Sequence, residues 1–397
     1  MLIKSLKVDD FRNFTKKEIK FSAGLTVIVG DNATGKSNIL EAIYLLATGK
    51  SFKAKLESEM IRYNSDIARI SAKLRILNYD VDLTEENNPE TLNTKSKMQN
   101  TSLEAVLTDG EVQIGEDSES IKKTQKKKLL VNGLPKRLID FAGNLKVVLF
   151  GPWDLDLVTE APSIRRRFLD EVLSQVDREY RRGVLLYEKG VRQRNKLLLR
   201  IRDEGIPRSQ LLYWDKLLIK HGNYITEKRS EFIDFVNRTK DFKDRDYSLT
   251  YDLSTISEER LAKYANEEVY AGTTLVGPHR DDFVFEIRNT KYGSQDQSVI
   301  RNSNLEIRNS SPRDLARFGS RGEARMGVLW LKLAELLFVE SVSGEKPVLL
   351  LDDIFSELDH EHRKIVLQVS ENQQTIITTA DPHYIEELTI PEEIINL

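Results

Sequence analysis

The chain of 397 residues contains no cysteine, which removes disulfides, thiolate nucleophiles and cysteine zinc sites and is compatible with a reducing compartment. It has no run approaching the ~20 apolar residues of a membrane span. Its opening MLIKSLKVDDF alternates like a strand and lacks the apolar core of a signal peptide. Net charge is almost absent as well, −3 from 60 basic and 63 acidic side chains, so no global positive field announces nucleic acid and any such site must be a local face. These absences leave a soluble cytoplasmic protein with no membrane partner as the expectation. At about 150 residues per domain, the length suggests two or three domains.

What is present is concentrated first in GDNATGKS, Gly30 to Ser37, between the apolar run Leu25 to Val29 and the helix-like Asn38 to Ala47. This is the phosphate-cradling pattern G-x-x-x-x-G-K-[ST] in its required strand, loop and helix setting. Gly30 and Gly35 allow a tight turn that aims backbone N–H groups at phosphate oxygens, aided by the positive end of the following helix. Gly30, Asp31, Asn32, Ala33, Thr34, Gly35, Lys36, Ser37 and Asn38 are therefore the expected nucleoside-triphosphate-binding residues, with Lys36 reaching the β- and γ-phosphates. The Ser37 hydroxyl is an expected Mg²⁺ ligand.

The second half of such a site is PVLLLDDIFSELD, Pro347 to Asp359, where the apolar strand Val348 to Leu351 delivers two carboxylates. In a parallel sheet that end shares a crevice with the phosphate loop. Asp352 is accordingly the expected Mg²⁺ partner of Ser37, and Asp353 the catalytic carboxylate that orients or deprotonates the attacking water. About thirty residues earlier, Ser320 and Gly322 open the amphipathic stretch to Leu337 and can present a hydroxyl and backbone N–H groups to a phosphate.

The rest of the chain organises around these pieces. Leu2 to Val8, Ile19 to Phe21, Ile67 to Ile76 and Val81 to Leu83 read as strands. Residues 84–103 and 289–311 are polar and read as mobile loops or insertions. From Pro162 to about Arg202 an apolar stripe recurs in steps of three and four and predicts one long helix, broken by Gly205 and Pro207 and followed by a second helix over Ser209 to Thr239. This hairpin carries Arg165, Arg166, Arg167, Arg181, Arg182, Lys189, Arg192, Arg194, Lys196 and Arg200. Such a face can grip DNA phosphates, or it can be a solvated arm, since Asp170, Glu171, Asp177, Glu179 and Glu188 lie among them. His279 in GPHRDD has no second histidine at ligand spacing, which argues for a structural role in aligning its strand with the nucleotide lobe rather than for a metal.

The order of phosphate loop, long insertion, S-R-G-E, L-L-L-D-D and S-E-L-D resembles the ABC-type ATPase heads of the SMC and Rad50 class, and within it the bacterial RecF family of DNA repair proteins. LKVDDFRNF, VNGLPKR, VVLFGPWDLDLV, PSIRRRFLD, QRNKLL and TLVGPHRDD extend the resemblance over essentially the whole chain. It implies an α/β fold, a P-loop ABC-type head with a mixed sheet and an inserted helical-hairpin arm. The expected division is an ATPase lobe over 1–160, the arm over 161–265 and, over 266–397, the lobe with signature motif and acidic pair.

The resemblance further implies an ATP-dependent homodimeric clamp. In it Ser320 and Gly322 act on the partner's γ-phosphate, Asp359 sits in a loop that senses the dimer, and Arg12 lies near the nucleotide phosphates. DNA beside single-strand gaps and the mediators RecO and RecR are the implied partners. Aspartate at position 353, and Thr379 where transporter-type ATPases carry a histidine, with His383 four residues on, suggest slow hydrolysis. No switch glutamine is identifiable around Pro152, Trp153 and Asp154. A transporter's nucleotide-binding subunit is disfavoured by that missing histidine, by the length between Lys36 and Ser320 and by the hairpin. An ATPase-gated nuclease is disfavoured by the short stretch after Asp359.

Overall fold

The structure is a computed structural model that describes residues 1–80, 95–113, 121–239, 245–289, 312–381, 383 and 391–397. The chain opens with β1 (Leu2–Phe11), β2 (Phe14–Lys20), β3 (Leu25–Val29) and α1 (Lys36–Thr48). β4 (Ile67–Asp80) and β5 (Lys95–Thr108) follow, then the short β6 (Glu111–Gln113), β7 (Ile121–Lys123), β8 (Lys127–Val131) and β9 (Leu134–Lys136). After α2 (Leu138–Phe141) and β10 (Val147–Phe150) come α3 (Asp156–Thr159), α4 (Pro162–Val176), α5 (Arg178–Glu204) and α6 (Leu212–Arg238). β11 (Arg245–Asp252), α7 (Glu258–Lys263), α8 (Ala265–Ala271), β12 (Asp282–Asn289) and β13 (Arg313–Asp314) lead to a long helix, Arg321–Ser343. β14 (Val348–Asp352), the helix His360–Ser370, β15 (Thr375–Thr379) and β16 (Glu393–Asn396) complete the described elements.

Two compact units result, one from Met1–Pro152 with Gly344–Leu397 and one from Trp153–Ser343. The hairpin and the helix after Ser320 thus belong to one unit, while the acidic pair joins the phosphate loop in the other. In the first unit, β10, β14, β15, β3 and β16 form a parallel sheet in that order. Its strands read as near-continuous apolar runs because both faces are buried: every residue of β10, β14 and β15 is buried. A second, antiparallel sheet of order β2-β1-β4-β5-β8-β9 alternates instead, burying Leu6, Val8, Ile70, Ala72, Leu103 and Ala105 and turning the intervening residues outward. Gln374 joins the two sheets, accepting from the Ile3 amide at 2.7 Å and donating to the Ile3 and Ser22 carbonyls at 2.8 and 2.7 Å.

β5 corrects one sequence expectation. Residues 95–103, assigned to a polar loop, are strand, paired with β4 from Asp80↔Lys95 through Ile67↔Thr108. The polar start of this strand hid a register that β4 dictates from outside the segment. Val81 to Leu83, residues 84–94 and residues 290–311 lie outside the described residues.

In the second unit the predicted long helix is two helices. The chain leaves helical geometry at Asp177 (φ −122°, ψ 111°), whose carboxylate caps α5 by accepting from the Tyr180 amide at 2.9 Å. The apolar stripe continues across the break because both helices bury the same side. Around them, three of the sequence motifs interlock. Arg165 forks onto Asp282 (2.6 and 2.9 Å), and Arg166 donates to the Asp281 carbonyl at 2.8 Å. Arg229 bridges Asp170 and Asp281 at 2.9 and 3.0 Å, while Arg194, 3% exposed, bridges Asp215 and Glu268 at 2.7 Å each.

The basic face is therefore smaller than the sequence suggests. Arg165, Arg166, Arg181 and Arg194 point inward, and exposed Arg167 and Arg200 pair with Glu171 and Glu204 four residues on. His279 is structural, Nε2 donating to the Thr274 carbonyl at 3.0 Å and Nδ1 accepting from the Tyr187 hydroxyl at 2.9 Å, since the carbonyl can only accept. Burial depresses its pKa to about 4, so it is neutral at physiological pH.

The helix Arg321–Ser343 carries a buried ionic cluster. Lys332 lies 2.7 Å from Glu335 and 3.8 Å from Asp154 and sits over the Phe168 ring at 5.1 Å. Burial raises the Glu335 pKa to about 7, with Lys332 opposing the shift. A carboxyl raised this way holds its proton more tightly folded than unfolded, so its contribution to stability is complete below about pH 4.5 and is lost as pH rises through about 7. Glu335→Gln should therefore flatten the decline in thermal stability between pH 5 and pH 8. An unchanged pH profile in that variant would show that Glu335 titrates normally.

Candidate nucleotide site

The parallel sheet places the C-terminal ends of β3, β14 and β15 along one edge. Beyond β3 the chain crosses Gly30 to Gly35 and enters α1 at Lys36. Ala33 (φ 69°) and Gly35 (φ 106°) take left-handed backbone. At Gly35 a Cβ is excluded twice, by this φ and by Asn13 Oδ1 and Phe14 Cζ, which would stand 2.6 and 2.7 Å from it. No side chain caps α1 and no acidic residue occupies its first turn; the Asn38 and Ile39 backbone N–H groups donate to the Gly35 carbonyl at 2.9 and 3.2 Å, which leaves those of Lys36 and Ser37 to meet an anion. The Lys36 ammonium is buried inside the loop and donates to the Gly30 and Asp31 carbonyls at 2.7 and 2.8 Å. Asp31, Asn32 and Ala33 form the exposed crown of the loop, and Thr34 turns its hydroxyl back to the Asp31 carbonyl at 2.9 Å.

Ser37 Oγ donates to Asp352 Oδ1 at 2.8 Å, although 315 residues separate the two. The same Oδ1 accepts from Thr378 at 2.6 Å, the hydroxyl at the end of the intervening strand β15. Asp352 is buried. Asp353 follows in left-handed backbone (φ 51°), its amide donating to the Thr378 carbonyl at 3.1 Å. Burial raises its pKa above the ordinary aspartate range; a hydrogen bond from the Ala380 backbone opposes this and repulsion from Asp352 adds to it. No group of three potential metal-ligating side chains occurs among the described residues. The oxygen pair of Ser37 and Asp352 suits a Mg²⁺ ion that draws its other ligands from phosphates and water.

Three residues that spacing does not reveal complete the loop. The Asn13 side chain donates to the Thr34 carbonyl and accepts from the Asn38 side-chain amide, both at 2.9 Å, so the β1–β2 turn clamps the phosphate loop. Glu41 is fully buried and receives Arg12 through Nε at 2.8 Å and Nη2 at 2.5 Å, while Arg12 Nη1 reaches the Glu59 carbonyl at 2.6 Å. The sequence signal for Glu41 is a lone acid in the apolar helix ILEAIYLLA. Thr378, the third, hides in the uniform β-branched run TIITT. Lys53 also faces the site, its pKa lowered by partial burial while Asp352 and Glu41 pull it upward.

The remaining predicted residues occupy defined places. Asp359 caps the helix His360–Ser370, accepting from the His362 amide at 3.0 Å. Thr379 ends β15, and His383 is exposed. Within the second unit, Ser320 and Glu323 form a reciprocal cap at the start of the helix Arg321–Ser343, with amide contacts of 2.8 and 3.2 Å. Gly322 is exposed there, and a Cβ on it would meet only Ser320 Oγ, at 4.0 Å. Of the run Pro152 to Asp154, where a switch glutamine would lie, Asp154 contacts this helix through Lys332.

Comparison with known proteins gives these pieces a common origin. Residues 2–396 match the family described as RecF/RecN/SMC N terminal domain. The chain is similar to the DNA replication and repair protein RecF of Herpetosiphon aurantiacus, 33% identical with 98% of this chain and 97% of that protein covered. RecF of Lachnoclostridium phytofermentans is 32% identical, with 95% and 92% covered. A solved structure of the recombination mediator protein RecF-ATP in the RecFOR pathway superposes with a TM-score of 0.74 at 28% identity, over 96% of this chain and 92% of that one. A second, designated RecF-ATPrS, gives 0.75 at the same identity and coverage. With likeness of this extent in sequence and in fold, the chain belongs to the RecF family of DNA replication and repair proteins.

Proposed function

We propose that the chain is an ATP-gated homodimeric switch that holds DNA beside single-strand gaps and, with RecO and RecR, helps to load recombinase. Two copies sandwich two ATP molecules, the phosphate loop of one facing Ser320 and Gly322 of the other. The observation that supports the nucleotide reading most is the Ser37–Asp352–Thr378 cluster beside the open first turn of α1. In it, Asp352 and Ser37 are already oriented on one another from distant parts of the chain, as a shared divalent cation requires. Mg²⁺ held by Ser37 and Asp352 would neutralise charge on the β- and γ-phosphates. Lys36 exchanges the Gly30 and Asp31 carbonyls for phosphate oxygens, and the α1 N–H groups complete the cradle.

Asp353 is the base that orients the attacking water. Its pKa, raised by burial, makes it a stronger base than an ordinary aspartate. As an aspartate fixed at the end of β14 it reaches one methylene less far than a glutamate, which supports slow hydrolysis and a timing role.

The test is the molar mass in solution with ATP and magnesium, with ADP, and without nucleotide. An ATP-specific dimer is expected. Asp353→Asn should keep ATP binding, slow hydrolysis by roughly 10²-fold or more and accumulate the dimer. A monomer in every state despite bound ATP would remove the sandwich, and unaltered hydrolysis in the variant would remove Asp353 from the chemistry.

A further inference from the structure

The antiparallel sheet of the first unit has one buried face and one open face, and the open face is basic. Cross-strand register fixes which side chains share it. Lys20, Ser5, Lys73 and Ser102 stand in one row, and Lys7 in the next, between Glu18 and Ser71. Lys16, Asp9, Arg69, Val106 and Lys128 form a third row. The face therefore presents Lys7, Lys16, Lys20, Arg69, Lys73 and Lys128 against Asp9, Glu18 and Glu104, in a chain whose total charge is −3.

Two of the acids are already neutralised within the face, Asp9 by Lys7 at 3.1 Å and Glu104 by Arg69 at 3.8 Å. Lys16, Lys20, Lys73 and Lys128 are exposed and make no ion pair with a described residue, which leaves Glu18 as the one acid opposing four free cations. Lys20 and Lys73 lie two strands apart, about 10 Å, and rows repeat at about 7 Å along the strands, so the charges form a grid rather than a point.

No aromatic side chain stands in these three rows. A surface that grips unstacked bases needs aromatic platforms. A grid of flexible cations without them fits a polyanion read through its phosphates alone. We propose that this open sheet face binds the phosphate backbone of double-stranded nucleic acid without sequence preference. The assignment rests on the DNA reading above and locates it on the first unit rather than on the hairpin, whose arginines pair with acids of their own unit. β1 and β2, which carry the first rows, end in the turn of Arg12 and Asn13 that clamps the phosphate loop, so one pair of strands links phosphate contact on the sheet to the nucleotide site.

Binding of a random-sequence duplex to the full chain, measured against salt with and without ATP and magnesium, tests this. Lys16→Glu, Lys20→Glu and Lys73→Glu together should weaken duplex binding more than about 30-fold near 0.1 M salt and lower the slope of log K against log salt by about 3. The matched charge change Lys189→Glu, Lys196→Glu and Lys220→Glu on the hairpin should leave both unchanged, and retained ATP binding in each variant certifies the fold. Wild-type slope in the sheet variant, or an equal loss in the hairpin variant, would overturn the assignment. So would unaltered duplex binding together with lost binding of poly-glutamate, which would give the face to an acidic protein. Failure of the wild-type chain to bind duplex in any nucleotide state would instead remove the DNA reading itself and this assignment with it.

Discussion

Lys36→Ala should abolish ATP binding, with a loss of about 10²- to 10³-fold or more in affinity. The ammonium is buried inside the phosphate loop at 2.7 and 2.8 Å from the Gly30 and Asp31 carbonyls, so it is positioned before any ligand arrives and its order is not charged against binding. Hydrogen bonds from a cation to an anion are worth ~1.5–3 kcal/mol, and a triphosphate that has shed its water inside the loop forfeits more than one of them. The stability of the unliganded variant should change little, since two carbonyls at the loop rim can turn to water. Isothermal calorimetry and the ATP-induced rise in melting temperature read the two effects separately. Wild-type affinity in the variant would mean that the triphosphate is bound elsewhere.

Ser320→Arg should leave nucleotide binding intact and prevent the ATP-dependent dimer. Within the subunit Ser320 is a helix cap, and losing a cap costs about 1 kcal/mol, too little to unfold the unit. Gly322→Ala sharpens the experiment. A Cβ there meets only Ser320 Oγ, at an ordinary contact distance of 4.0 Å, and alanine is the better helix former by ~1 kcal/mol, so the monomer should be as stable or slightly more so. If a partner's phosphate approaches that backbone, the same methyl group weakens the dimer. A variant more stable as a monomer yet poorer at dimerising is an outcome that a merely structural glycine does not produce. Dimerisation unchanged in both variants would sink the arrangement in trans.

Much of the site was legible because its chemistry is local in sequence. The phosphate loop, the strand before it and the strand that ends in Asp352 and Asp353 each announce themselves by composition within a dozen residues, and the expected strand Leu25 to Val29 coincides with β3. Asn13, Glu41 and Thr378 were not legible, because each acts through a partner fixed by tertiary structure: a loop carbonyl, an arginine 29 residues away and an aspartate 26 residues away. The hairpin shows the opposite failure. Its arginines are abundant and periodic, yet charge type alone does not reveal which way a side chain points, and Arg194 is among the most buried polar groups of its unit. The break at Asp177 escaped because an N-cap aspartate inside an amphipathic stripe has the same composition as an exposed helical aspartate.

The two-segment construction of the first unit bears on how the protein is made. β3, which delivers the phosphate loop, is hydrogen-bonded on one side by β15 and on the other by β16, and the carboxylate that meets Ser37 arrives on β14. All three strands follow residue 343. A ribosome extending the chain at ~5–20 residues per second therefore exposes the loop sequence many seconds before its sheet can close. The nascent chain has no assembled triphosphate cradle during that interval, and nucleotide affinity switches on only when the C-terminal segment emerges and threads both flanks of β3.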